Sequence, residues 1–320
     1  MAMHSIGDLA KTFVTRSQIR TLKADLADAS TQLTTGKQND LGRALGPRRH
    51  DYMELKTQIA RKSAFHSVAQ GGQRALETSL AYVARASDVM TALNTDVTAH
   101  LGANRLGRVG PAAKDALEQL VSLANSKDGE SFAFGGYGRT PPLPAADDLL
   151  SLARLAIDPS LDPATVTAKL EQWFANPAGF DSVLELGAPR TVRTETGEIA
   201  VGVDAKELKS ALMATLRIAL TSELATDLTA DDAMTFVADT KQSATYLTTV
   251  GGRLGTNLQK LEQYSVSTNA QIQTLRLHVT DLESVDQFEA ATRFQHLETQ
   301  LETSFAITAR LSRLSLADYI

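Results

Sequence analysis

The sequence predicts a mainly α chain: an elongated helical, coiled-coil rod of paired N- and C-terminal segments, with a small inserted α+β domain. Three observations carry that prediction. Seven of the nine prolines fall between residues 141 and 189, and none follows. Proline removes a helix hydrogen bond and clashes with the preceding turn, so the middle differs in kind from both flanks. In the flanks, apolar residues recur at alternating steps of three and four. Aromatic residues are only 5% of the chain, so its cores must be aliphatic stripes, which suits helix packed on helix.

The first flank opens with Ile19, Leu22, Leu26, Ala29 and Leu33 on one helix face, closed by Gly36 as a C-cap. "QNDLGRALGPRRH" then reads as a loop, with its basic cluster at Gly46 to His50. From Asp51 the helical pattern resumes. Leu76, Leu80, Val83, Ser87, Met90, Asn94, Val97 and Leu101 form a heptad stripe with two polar members. After "LGANRLGRVGP", Pro111 opens a shorter helix with Ala113, Leu117, Leu120 and Ala124 on one face.

The middle begins at "GGYGRTPPLP", a loop by composition. Short helices are expected at "DPATVTAKLEQWFANP", with Trp173 in a core. "TVRTETGEIAVGV" alternates as a β-hairpin, with Val192 and Thr194 before the turn and Ile199, Val201 and Val203 after it. Residues 140–203 therefore read as the inserted domain.

The second flank is helix again. Leu208, Leu212, Leu216 and Leu220 step by four. Ala244, Leu247, Gly251, Leu254, Leu258 and Leu261 follow at threes and fours. Thr268, Ile272, Leu275, Val279 and Leu282 continue the stripe, then Phe294, Leu297, Leu301, Ser304, Thr308 and Leu311. A periodic pattern this long suggests a coiled coil or an assembly helix.

Composition narrows the function. The formal net charge is −5, which argues against whole-chain affinity for nucleic acid. The chain has no cysteine, which excludes disulfides, thiol nucleophiles and Cys-based zinc sites. No apolar run is long enough to span a bilayer, and the first residues carry no signal-peptide core. Export would therefore need a route without a cleaved signal.

Candidate chemistry is weak. The six histidines, at 4, 50, 66, 100, 278 and 296, show no metal-ligand spacing. "GGRLGTN" (Gly251 to Asn257) lacks the Lys-Ser/Thr ending of a phosphate loop and sits in a helical pattern, so it reads as a helix contact or bend. The pairs Asp147–Asp148 and Asp231–Asp232 fall at helix starts, where the helix dipole favours them. No catalytic residue, cofactor site or metal site is assigned. The stripes are the main signal. Each fully buried Leu contributes roughly 1.5–3 kcal/mol, and residues 268–320 hold more stripe than one partner helix can cover. Leu311, Leu314, Leu316, Tyr319 and Ile320 carry the apolar character to the last residue.

The ending "DLESVDQFEAATRFQHLETQLETSFAITARLSRLSLADYI" closely resembles the C-terminus of the flagellin superfamily, and most nearly its hook-filament junction branch. Asp286, Glu289, Ala290, Leu301, Leu311, Leu314, Ser315, Leu316 and Tyr319 carry the resemblance. Arg16, Gln32, Leu33, Gly36 and Lys37 are similar to the family's N-terminal helix with its "QL…GK" ending. "ANSKDGESFAFGG" resembles the junction branch's aromatic turn. The likeness covers roughly 1–139 and 205–320. Where the family carries a Ser/Pro/Asp-rich turn, this chain has "QNDLGRALGPRRH" with only Pro47.

The resemblance implies nested layers: residues 1–43 and 268–320 as terminal helices of an inner assembly core, 44–139 and 204–267 as a long coiled-coil domain, and 140–203 facing outward. It implies a non-enzymatic structural subunit of the bacterial flagellum, outside the cell, exported by the type III route and joining hook to filament. Its expected partners are further copies of itself in a ring-like homo-oligomer, a hook-side hook-associated protein, flagellin and an export chaperone, with neither nucleic acid nor membrane insertion. The assembly interface is expected at Leu22, Leu26, Leu33, Leu297, Leu301, Leu311, Leu314, Leu316, Tyr319 and Ile320. Two alternatives stand beside it: a flagellin, the filament subunit itself, and more remotely a cytoplasmic coiled-coil adaptor.

Overall fold

The computed structural model describes residues 3–103, 108–129, 131–157, 163–224 and 228–317. The fold is mainly α. In chain order come α1 (Met3–Thr35), α2 (Leu41–Leu45), α3 (Arg49–Gly102) and α4 (Val109–Ala124). Then follow β1 (Lys127–Asp128), β2 (Ser131–Phe132), β3 (Gly136–Tyr137), α5 (Ala146–Ile157), α6 (Pro163–Ala175) and α7 (Phe180–Val183). The chain continues with β4 (Thr191–Thr194), β5 (Gly197–Ala200), α8 (Lys209–Leu224), α9 (Ala230–Glu283) and α10 (Gln287–Ala317). It divides into two compact units, Met1–Lys62 with Ala270–Ile320, and Ser63–Asn269.

The unit of residues 63–269 holds most of the apolar core. α8 lies at its centre, packed by α4, α5 and α6. Its four-step leucines 212, 216 and 220 are fully buried, as are Leu208 just before it and Ala211, Ile218 and Ala219 along it. A helix buried this widely needs cover on several faces. Residues 140–203 supply part of it: Leu149, Ala153, Ile157, Leu170, Phe174 and Phe180 belong to the same buried cluster as α4 and α8. Trp173 differs from the expected core position. It is half-buried at the rim, edge-on to Phe174 and Phe180, which fill the interior.

Within this unit α3 and α9 run antiparallel. Asn94 donates to Val237 O (2.7 Å) and Thr240 Oγ1 (2.8 Å), Ser87 Oγ donates to Ala244 O (3.3 Å), and Ser265 Oγ bonds His66 Nδ1 (3.2 Å). The two polar members of the heptad stripe are thus satisfied across the helix pair. A buried polar side chain with one good partner fixes register, because a shifted register leaves it unpaired. "GGRLGTN" lies inside α9, and a Cβ on Gly251 would make ordinary contact with Val83 of α3 at 3.9 Å. The stretch is continuous helix, and Gly251 is the glycine in it that faces α3.

β4 and β5 form an antiparallel hairpin with Val192 opposite Ile199, as the alternation predicts. Val192, Thr194, Val201 and Val203 turn inward. β1, β2 and β3 make a second small sheet at the "FAFGG" turn. There Tyr137 and Ala188 exchange backbone hydrogen bonds at 3.0 Å, and Gly187 N donates to Gly135 O at 2.8 Å. Gly136 has φ +67°, and a Cβ on it would lie 2.3 Å from Ala188 O, so only glycine fits. Asn125 exchanges two bonds with the Leu143 backbone, tying the proline-rich stretch to the end of α4.

The expected loop after α1 is partly helical. Asp40 Oδ1 accepts from Arg43 N (3.0 Å) and caps α2. Gly46, with φ +48°, ends it, and a 3-10 turn over Gly46–Arg48 leads straight into α3. A side-chain cap compensates the orphan amides that a five-residue helix would otherwise expose.

Candidate assembly interface

The unit of residues 1–62 and 270–320 is built on α1 packed against α10. Leu22 borders open grooves that it shares with Ser304 and with His296, Thr299, Gln300 and Thr303. Lys23 Nζ lies 5.5 Å over the Phe305 ring. At the other end of α1, Gly36 O accepts from Val285 N at 3.0 Å. Residue numbers thus rise along α1 as they fall along α10, and the two helices are antiparallel.

Among the described side chains, the seam between them is thin. Leu22, Leu26, Leu33 and Leu301 are half-buried. Among the described residues of this unit, the buried apolar side chains are Ala29, Leu45, Ile272, Val279, Ala290 and Leu297. At the same time Phe13 is 75% exposed and Phe288 82%, with Val14, Met53, Leu277, Phe305 and Ile307 also open. Phe13, Val14 and Leu22 line an open groove of about 460 Å³. Scattered apolar residues on a surface are ordinary. A helix pair that buries so little while leaving aromatics exposed has an unfinished core.

The sequence-predicted interface residues are placed as follows. Leu22, Leu26, Leu33, Leu297 and Leu301 all lie on the two packed helices. Leu311, Leu314 and Leu316 fall in the last turns of α10, but their side chains lie outside the described residues, as do Tyr319 and Ile320 altogether. Phe13 and Phe288 were missed. A reading keyed to leucine steps passes over an aromatic that lies off the leucine stripe.

Also missed was a polar cluster where α1 and α9 end. Gln38 N donates to Glu283 O (2.9 Å) and Val285 N to Gly36 O, a two-bond bridge between the chain reversals. Glu283 accepts from Tyr52 Oη (2.7 Å), and Lys37 Nζ (3.2 Å) and Lys56 Nζ (3.3 Å) pair with it. Its side chain is only 14% exposed. The Tyr52 hydrogen bond, joined by the two ammonium groups and opposed by burial, holds the Glu283 carboxyl below the ordinary carboxylate range. Asp286 then caps α10, accepting from Phe288 N (2.8 Å) and Glu289 N (3.3 Å). The partners of Glu283 are up to 246 residues away, so no local pattern announces them.

Polar clusters in the other unit act as clamps. Glu223 at the end of α8 accepts from Arg154 of α5 (2.5 Å) and pairs with Lys114 of α4 (3.4 Å). Glu207 binds Arg253 and Tyr246 of α9. Asp232 and Thr229 exchange hydrogen bonds at the start of α9, a capping arrangement that uses one carboxylate of the Asp231–Asp232 pair. Among the described residues, no group of three or more His, Asp and Glu side chains is placed to hold a metal. No described helix is long and apolar enough to cross a membrane.

Residues 237–320 match the family model of the bacterial flagellin C-terminal helical region. The chain carries a flagellin-type C-terminal region. That region takes in most of α9 and all of α10, including Glu283, Asp286, Leu297 and Leu301. Among solved structures, the crystal structure of Bacillus cereus FlgL aligns over 73% of this chain and 97% of that one, at 13% identity and a TM-score of 0.37. At that score the likeness is too loose to argue from. No curated protein matches the chain.

Proposed function

We propose that the chain is an extracellular, non-enzymatic structural subunit of the bacterial flagellum that joins hook to filament, assembling through its terminal helices. One observation carries the assembly part of this reading. α1 pairs with α10, inside the flagellin-type region, yet the pair leaves Phe13, Val14, Phe305 and Ile307 exposed. Burying a Phe or Val side chain is worth roughly 1.5–3 kcal/mol. Packing these residues against neighbouring subunits recovers that energy, and an isolated pair cannot. The interface then comprises Leu22, Leu26, Leu33, Leu297, Leu301 and the terminal residues Leu311, Leu314, Leu316, Tyr319 and Ile320.

The junction role rests on the sequence ending "LSLADYI" and the "FAFGG" turn, which favour the junction branch over flagellin. Its partners would be further copies of itself in a ring, a hook-side hook-associated protein, flagellin and an export chaperone that covers the C-terminal region before delivery by the type III route. Immunogold labelling of isolated flagella, with a copy count, tests the role. A few copies at the hook end are expected. Thousands along the filament would favour the flagellin reading, and a protein retained in the cytosol would overturn the flagellar assignment.

A further inference from the structure

Unit 1–62 with 270–320 has a thin apolar seam but a many-partnered polar contact where its two chain reversals meet. α1 stops at Gly36, whose φ of +67° admits glycine readily, and α9 stops at Glu283. The backbone bridge between Gly36, Gln38, Glu283 and Val285 brings these stops side by side. Around the Glu283 carboxylate stand Tyr52 and Lys56 from α3 and Lys37 from the first reversal. Asp286, at the start of α10, is occupied by its own helix amides. Asn39 is turned away onto the Asp28 backbone (3.1 Å).

The arrangement has a consequence for the terminal helices. Two helices that leave from one pinned point meet at a far higher local concentration than two on free tethers. With few buried side chains along the seam, that pinning carries much of the pairing. A charge-assisted hydrogen bond to a mostly buried carboxylate is stronger than a neutral one, and Glu283 gathers one such bond and two ion pairs.

We infer that Glu283 is a latch: clamped by Tyr52, Lys37 and Lys56, it holds the two chain reversals together and so keeps α1 paired with α10. Opening the latch frees the terminal helices while residues 63–269 stay folded. The inference does not rest on where the protein acts, because it concerns the free chain.

Hydrogen exchange on the full-length chain tests it, comparing amides of α1 and α10 with those of residues 63–269. Glu283→Gln keeps the shape and removes the charge, and Tyr52→Phe removes one hydroxyl. Each is expected to speed exchange in α1 and α10 by about tenfold, the equivalent of one charged hydrogen bond, with residues 63–269 unchanged. The double variant should fall short of the sum of the two single changes, since the Tyr52 hydroxyl and the Glu283 charge act within one contact. Unchanged exchange in α1 and α10, an equal rise in residues 63–269, fully additive effects, or no protection of α1 and α10 in the unaltered chain would each overturn the latch. Localisation away from flagella would sink the proposed function and leave this result standing.

Discussion

Two adjacent glycines in the middle of α3 should respond differently to the same substitution. Gly71 and Gly72 both lie in regular helix. Replacing an exposed helix-interior glycine by alanine gains about 1 kcal/mol, because the alanine backbone has less freedom to lose on folding. At Gly71 a new Cβ meets nothing within 4 Å, so Gly71→Ala should realise most of that gain. At Gly72 the new Cβ would stand 2.6 Å from Val192 Cγ2, 3.0 Å from Leu261 Cδ1 and 3.3 Å from Val201 Cγ1. The leucine tip can swing away. Val192 is β-branched, buried and tied into the β4–β5 hairpin, so it cannot. Overpacking of this kind costs about 1–3 kcal/mol. Set against the backbone gain, Gly72→Ala should be neutral to destabilising by about 2 kcal/mol. The two variants should therefore differ by about 1–3 kcal/mol. Urea unfolding followed by fluorescence measures this directly, since the single tryptophan, Trp173, lies in the same unit. In a Val192→Ala background the nearest contact is removed, and Gly72→Ala should cost clearly less than it does in the unaltered chain. Equal stabilisation by both alanines, or no rescue by Val192→Ala, would refute the close approach of α3, hairpin and α9.

Three further predictions follow from single contacts. Asp286→Ala removes the cap of α10 and should cost about 1 kcal/mol, seen as faster exchange of the Phe288 and Glu289 amides. Asn94→Ala removes two hydrogen bonds to α9 and should lower the stability of unit 63–269 by about 1–3 kcal/mol, with the change in urea midpoint as the measure. The carboxyl of Glu283 is held below its ordinary value of 4.5, so its contribution is complete above that pH and fades as pH falls through the lower folded value. Acid titration of the melting temperature should then show Glu283→Gln starting less stable at neutral pH and converging with the unaltered chain in acid; parallel curves would count against the pair.

Much of this protein is legible in its residue order, for a local reason. Helix periodicity, proline placement and turn glycines act over a few residues, so the stripes of α3, α8, α9 and α10 and the hairpin of Val192 and Ile199 could be read without coordinates. The stripe of Leu22, Leu26, Leu33, Leu297 and Leu301 was read the same way, because a stripe marks a face that must be covered. Other features depend on chain segments far apart in sequence. Trp173 gives up the interior to Phe174 and Phe180 because the packing of α6 and α7 decides which aromatic points inward. Asp40 is the local exception, a cap three residues from its partner that converts an expected loop into a turn of helix. Ser87 and Asn94 looked like flaws in a heptad until α9 supplied their acceptors. Glu283 was one acidic residue among 37 Asp and Glu until the fold brought Tyr52, Lys37 and Lys56 around it. The sequence by itself determined which faces are apolar and where helices stop, since these follow from neighbouring residues. Only the tertiary structure decided which stops meet and which charges become a contact, because those energies exist only between residues that folding brings together.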